Sequence, residues 1–293
     1  MKQPTRLNYN SSAASLLAVA GLMATGVAPI WATPSISADF STYVLGALNS
    51  QNGWAQVGTT NTMNPIQVIA ATTTSPVTPQ SIKLKGVASA SVSYKDLPTA
   101  FNPATAVAGT TFYYVIDDFK VIQAYVSSTG AGSGVCALQA NIGGTGTSLC
   151  RLFVRRYAGS STNTTTFDLG INPGSTGSAV SYGTTAFANN TLYKIVVGYT
   201  ANTGTGTDTI KVYVNPAGLN PSSWTPEVTQ TLAADAVAMK SFVWQPGSPA
   251  TGTNELTASR LMVGDTLSEL LLPPAAPVSA AATNINPSGF TAN

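Results

Sequence analysis

The chain contains no histidine. Every His-based catalytic triad, His metal cluster and imidazole proton shuttle is therefore excluded. Charge is nearly as scarce. Asp, Glu, Lys and Arg make up 8% of 293 residues, where an ordinary domain has about 25%. Such a surface is a poor match for nucleic acid. The only glutamates are Glu227, Glu255 and Glu269. They are scattered, whereas a retaining glycosidase needs two carboxylates about 5 Å apart. No catalytic residue is assigned, and the chain reads as a non-enzyme. Asp117-Asp118 is the sole acidic pair and the weak candidate for a metal, Ca²⁺ in particular. Calcium takes six to eight oxygens, so the pair would need help from distant loops. With no metal ligand set beyond it, no cofactor is expected.

Long apolar runs are confined to the start. Lys2 and Arg6 precede residues 13–32, which carry no charge. This is the pattern of a secretory signal peptide spanning residues 1–32, with cleavage after Ala32. A membrane anchor is the rival reading, and Gly21, Gly26 and Pro29 weigh against it. Loss of Lys2 and Arg6 leaves 11 bases against 11 acids, so long-range steering of charged partners is not expected. There are only two cysteines, Cys136 and Cys150. In an exported chain they are expected to pair. They lie symmetrically about Gly143, and a hairpin turning at Gly143-Gly144 would place them on facing strands. The cross-link would contribute about 3 kcal/mol on a chain-entropy account.

What the chain does have is β-strand pattern. Residues 192–216 read LYKIVVGYTANTGTGTDTIKVYVNP. Tyr193, Ile195, Val197 and Tyr199 alternate with Lys194, Val196 and Gly198, and Ile210, Val212 and Val214 alternate with Lys211 and Tyr213. Period-two alternation of β-branched and aromatic residues marks half-buried strands. The Thr- and Gly-rich residues 201–209 turn the chain, and Asn215-Pro216 ends the second arm. Further strands are read at 66–71, 81–90, 111–126, 134–157, 167–171, 179–187, 240–245 and 259–263. Asp117-Asp118 is expected to mark a turn or bulge between two strands of the third segment. Residues 233–239 read as one helical turn. Gln51-Asn52-Gly53-Trp54 reads as a turn, with Asn-Gly at its positive-φ corner. Short strands at this spacing, with no long 3.6-residue periodicity, indicate an all-β, two-sheet antiparallel jelly-roll sandwich.

Among the tryptophans, Trp54 and Trp244 have apolar strand neighbours and are expected in the core. Trp224, between Pro221 and Pro226 in a polar loop, is the candidate for stacking on a sugar ring, against packing of that loop onto the sandwich. Arg155-Arg156 with Lys120 could form a small basic patch or protect a strand edge.

Three pieces carry a family resemblance: FSTYVLGALNSQNGW (residues 40–54), the 192–216 hairpin, and ELTASRLMVGDTLSEL (residues 255–270). Together they resemble the concanavalin A-like (laminin G-like) jelly-roll modules of secreted bacterial proteins. The resemblance covers residues 39–272. It implies a strand that places Arg260 and Gly264 near a sheet edge, and glycans as ligands. After Pro273 the composition changes to an uncharged, Pro-rich stretch. Residues 273–293 read as a linker followed by ATNINPSGFTAN, which resembles the opening of a fibronectin type III module. These readings imply a secreted or cell-surface recognition or adhesion module whose partner is a glycan or another extracellular protein. No nucleic acid is implied, and a membrane only through an uncleaved signal segment. The alternative is a structural subunit of an extracellular fibre, self-associating through β-edges. A polysaccharide hydrolase is the least favoured reading.

Overall fold

The computed structural model describes residues 34–57, 65–73, 79–86, 92–125, 131–174, 179–202, 207–232, 236–246 and 254–271. Residues 1–32, read as a signal peptide, and the tail at 273–293 lie outside the described residues. In chain order the first strands are β1 (Ile36–Asp39), β2 (Gly46–Ala47), β3 (Ala55–Gln56), β4 (Gln67–Ile69), β5 (Ser81–Gly86) and β6 (Ser93–Phe101). The middle strands are β7 (Thr111–Gln123), β8 (Ser133–Gln139), β9 (Ser148–Arg156), β10 (Thr166–Asn172), β11 (Ser181–Tyr182) and β12 (Phe187–Ala188). The last are β13 (Tyr193–Thr200), β14 (Thr209–Val214), β15 (Val228–Thr231), β16 (Met239–Trp244), β17 (Asn254–Ala258) and β18 (Arg260–Gly264), followed by a short helix α1 (Leu267–Leu271).

They form two antiparallel sheets, as the jelly-roll reading requires. One runs β15-β14-β13-β7-β17-β5-β4-β2, with β18 and β1 branching from β7. The other runs β11-β10-β9-β8-β16-β6-β3, with β12 on β10. The inward faces meet in one core that includes Trp54, Trp244, Phe119, Phe167, Phe242 and Tyr114, all at most 1% exposed. Trp54 and Trp244 are thus core residues, as their neighbours indicated.

The hairpin β13–β14 pairs Val197 with Val212 and Ile195 with Val214. Ile195, Val197, Ile210 and Val212 are buried in the main core, while Val214 is only half-buried at its rim. Each such aliphatic side chain contributes roughly 1.5–3 kcal/mol on full burial. Alternation would leave the other face wet, yet Val196 and Tyr213 are buried too. A second apolar cluster explains this: Tyr113, Val115, Val196, Tyr213 and Met262 are covered by Trp224, Leu267 and Leu270. Helix α1 and the loop carrying Trp224 roof this outer face.

The turn at Gln51–Trp54 forms as expected. Asn52 and Gly53 have φ of 47° and 81°, and Trp54 N–H donates to Gln51 O at 2.9 Å. Positive φ at both central residues is the type I′ requirement that Asn-Gly satisfies. The expected helical turn is a correction. Residues 236–238 are irregular and Met239 opens β16, while 233–235 lie outside the described residues.

The third expected segment is one strand, β7, and not two. Asp117-Asp118 is a bulge inside it. Tyr193 faces Phe119 and Ile195 faces Ile116, so two residues of β7 oppose Lys194. Asp118 has φ of 51°. On its other side β7 pairs first with β18, Arg260 opposite Asp117, and then with β17, Thr257 opposite Lys120. The sheet forks at this bulge.

The disulfide expected between Cys136 and Cys150 is also corrected: both thiols are free and buried. The hairpin does turn at Ile142–Gly144, where Gly143 and Gly144 have φ of 76° and 65°. Its ladder, however, pairs Gln139 with Ser148 and Leu138 with Leu149, and then Cys136 with Leu152. Ala137 on β8 is therefore opposed by Cys150 and Arg151 together. This is a β-bulge, with Cys150 at φ 50°, and the two sulfurs fall out of register. Tyr114 Oη donates to Cys150 O at 2.8 Å across the core, and burial pushes both thiols far above the usual thiol range.

Candidate functional site

The fork at Asp117 opens on a cleft of about 700 Å³ lined by Asp39, Asp117, Asp118, Lys194, Ser259 and Arg260 among others. Its charges are already committed. Asp117 Oδ2 accepts from Arg260 Nε at 2.6 Å, and Lys194 Nζ lies 3.3 Å from Asp117 Oδ1. Asp118 accepts from Ser259 Oγ at 2.5 Å, and Asp39 caps a 3₁₀ turn through Ser41 N–H. The weak metal candidates Asp117 and Asp118 thus serve the sheet fork. No group of three or more His, Cys, Asp or Glu side chains comes together among the described residues. Arg260 lies on β18 between β7 and β1, one strand in from the edge that the family resemblance implied.

Trp224 does not present a stacking face. It is 8% exposed, its indole N–H donates to Ala217 O at 2.8 Å, and its ring packs edge-on against Tyr213. The glutamates stand on different elements. Glu255 pairs with Lys83 at 2.6 Å, Glu227 holds Thr185 through both oxygens, and Glu269 is on α1. No carboxylate pair forms from them.

The basic patch is not assembled either. Arg155 grips the buried Asp168 through Nε and Nη2 at 2.8 to 3.2 Å and stacks on the Tyr182 ring, 3.6 Å from its centroid. Arg156 instead donates to Ala124 O and Ser161 O.

The notable site was not singled out from the sequence. Strand β9 reads SLCRLFVRR with burial that alternates after Cys150: Leu152 and Val154 point into the core, while Arg151, Phe153 and Arg155 are partly exposed on the outer face. Arg151 sits opposite Asn172, Phe153 opposite Gly170, and Arg155 opposite Asp168. On the other flank Gly134 faces Phe153. The glycines make room. A Cβ at Gly134 would overlap the Arg151 guanidinium, and one at Gly170 would meet the Tyr182 ring at 2.6 Å. The result is a row of arginines and aromatics lying across a glycine floor.

At one end of this row a cleft of about 370 Å³ opens between Arg151, Phe153, Asn172 and the hairpin residues Gly146, Thr147 and Ser148. The Arg151 guanidinium lies 5.1 Å from the Phe153 ring centroid. Its Nε is buried with no hydrogen-bond partner, and burial lowers its pKa. The cleft is also lined by the hydroxyls of Thr147 and Ser148 and the amide of Asn172, with no carboxylate; Ser148 Oγ already accepts from Gln139 Nε2 at 2.9 Å and Asn172 Oδ1 from Gly174 N–H at 2.7 Å.

No protein-family model matches the chain, and no curated protein matches it. Among solved structures it is similar to peanut lectin with a nine-residue peptide, at TM-score 0.41 and 13% identity, covering 74% of this chain and 94% of that one. It is also similar to the T. cruzi calreticulin globular domain, at TM-score 0.44 and 10% identity, covering 78% and 89%. A third is the VIP36 exoplasmic/lumenal domain in its Ca²⁺/Man3GlcNAc-bound form, at TM-score 0.41 and 13% identity, covering 80% and 93%. Similarity this distant says nothing about what this chain binds.

Proposed function

We propose that the protein is a non-catalytic recognition module of the cell exterior that binds glycans on the outer face of the β8–β10 strands. The observation that carries this reading is the Arg151–Phe153 cleft. It sets a half-buried aromatic ring beside a guanidinium whose Nε has no hydrogen-bond partner, with two hydroxyls and an amide along the wall. Small-molecule sites combine apolar surface with a few fixed polar groups, and a sugar offers both C–H surface and hydroxyls to match them. Arg151 and Phe153 stand on β9, paired with β10, so these two groups are held in place before a ligand arrives, while Gly146 and Thr147 come from the hairpin turn.

The fibre alternative draws less support. The strands at the sheet margins, β1, β2, β3, β11, β12 and β15, are two to four residues long. β3 covers only Ser93 and Tyr94 of the nine-residue β6, but the uncovered length carries Lys95, Asp96 and Pro98, and short, charged or proline-bearing edges offer little ladder to a second chain. A glycan array probed with the purified protein and with Phe153→Ala tests the proposal. Retention of a defined glycan set by the parent, lost in Phe153→Ala with its melting temperature kept within a few degrees, is expected. No retention above background, or retention unchanged in the variant, would overturn it.

A further inference from the structure

From the same cleft, and resting on the glycan reading, we infer that Arg151 selects glycans that carry an oxyanion, a sugar carboxylate or sulfate ester. A guanidinium has five donors in a planar fork. Structures normally occupy that fork when it is taken out of water, since an unpaired buried charge is costly. Arg155, four residues along the strand on the same face, follows the rule with Asp168. Arg260 follows it with Asp117. Arg151 does not: its Nε is buried and bonded to nothing among the described residues.

Nε itself is closed off against Gly134, so a ligand would meet the rest of the guanidinium, and two further features suit it to negative charge. No carboxylate lines the cleft, so the cation there is uncompensated locally. Gly134, beneath the guanidinium, leaves no room for a Cβ without moving it, so the fork's position is built into the sheet. A carboxylate or sulfate can take two parallel N–H···O bonds from such a fork, which a neutral hydroxyl cannot. Meanwhile the Phe153 ring is left to meet the sugar's apolar face.

Calorimetry at low salt with three galactose-based probes tests this: an oligogalacturonate, a sulfated galactan oligosaccharide and a neutral galacto-oligosaccharide. The parent should bind at least one anionic probe tenfold or more tightly than the neutral one. Arg151→Gln should remove that preference, and Arg151→Lys should restore part of it by keeping the charge without the fork. The two anionic probes separate carboxylate from sulfate. Near-ultraviolet circular dichroism and melting temperature show that the variants fold. If they do not, the parent's preference for an anionic probe must still collapse as salt is raised from 20 to 500 mM. Equal binding of all three probes, or a preference unchanged in Arg151→Gln, would overturn the anionic assignment and leave glycan binding standing. Failure to bind any of the three, with a glycan retained on the array, would overturn the anionic assignment alone, and failure in both experiments would overturn both.

Discussion

Replacing Asp117 with alanine should cost more stability than any other change to an acidic residue at the fork. In the folded chain Arg260 is 7% exposed and Asp117 15%, with Nε 2.6 Å from Oδ2. The substitution leaves the guanidinium buried without its charged partner. Breaking a buried pair from one side costs about 3–5 kcal/mol. Lys194 adds little to this figure, because its side chain is about one-third exposed and exposed pairs are worth about 0–1 kcal/mol. In a domain of this size one kcal/mol moves the melting temperature by about 2–4 °C, so Asp117→Ala should melt roughly 6–20 °C lower. Urea unfolding with an unchanged m-value would assign the loss to stability rather than to a change of native state. The reasoning also predicts a rescue. Asp117→Leu combined with Arg260→Met replaces the pair by apolar groups and should regain most of the loss, since buried pairs and apolar isosteres are often equivalent. A single variant within 1 kcal/mol of the parent would refute the argument. So would a double variant no more stable than Asp117→Ala.

Two further outcomes follow from burial. Cys136 and Cys150 should not react with Ellman's reagent at pH 8 in the native protein, because both are inaccessible and burial suppresses their thiolates. In 6 M guanidinium chloride two thiols per chain should appear; fast native reaction, or none after unfolding, would contradict the free, buried pair. Trp224→Ala should lower stability by about 3–5 kcal/mol, the usual cost of deleting a packed tryptophan, and leave glycan binding unaltered. Lost binding at unchanged stability would instead make Trp224 a ligand platform.

Much of the fold was legible because local and tertiary demands agree. The β13–β14 hairpin needed only its alternation, and the Gln51–Trp54 turn only its Asn-Gly. Strand β6 was not legible, since Pro98 and Asp96 interrupt its pattern. In the structure Asp96 faces Ser241 and Phe101 faces Met239, and the intervening residues, Pro98 among them, fall in an irregularity of the ladder. A proline there loses no ladder bond. Strand β17 was hidden by polarity. Asn254 and Thr257 are buried between β5 and β7, a central position that no period-two pattern in Asn254–Ala258 announces. The cover over Val196 and Tyr213 comes from a loop and a helix distant in sequence, so no strand-level pattern could foretell that both hairpin faces are dry.

The candidate site was half legible, and the missing half is the bulge at Cys150. Arg151, Phe153 and Arg155 alternate with Leu152 and Val154 in plain view, which is enough to set arginines and an aromatic on one face. Strict alternation carried back along the strand breaks down, however. Leu149 is buried in the core, so an unbroken period of two would place Arg151, Phe153 and Arg155 inward with it and turn Leu152 and Val154 to solvent. The extra residue reverses this. Cys150, at positive φ, occupies one more position on the core side, and the strand resumes with Arg151 outward. Left-handed backbone at a non-glycine residue costs roughly 1–2 kcal/mol, and burying Leu152 and Val154 more than offsets it. The same geometry that keeps the two cysteines from facing each other therefore aims Arg151 into the cleft. Read only as a spacing about Gly143, Cys150 suggested a cross-link. Read with its neighbours' burial, it is the residue that sets which side of β9 faces the cleft.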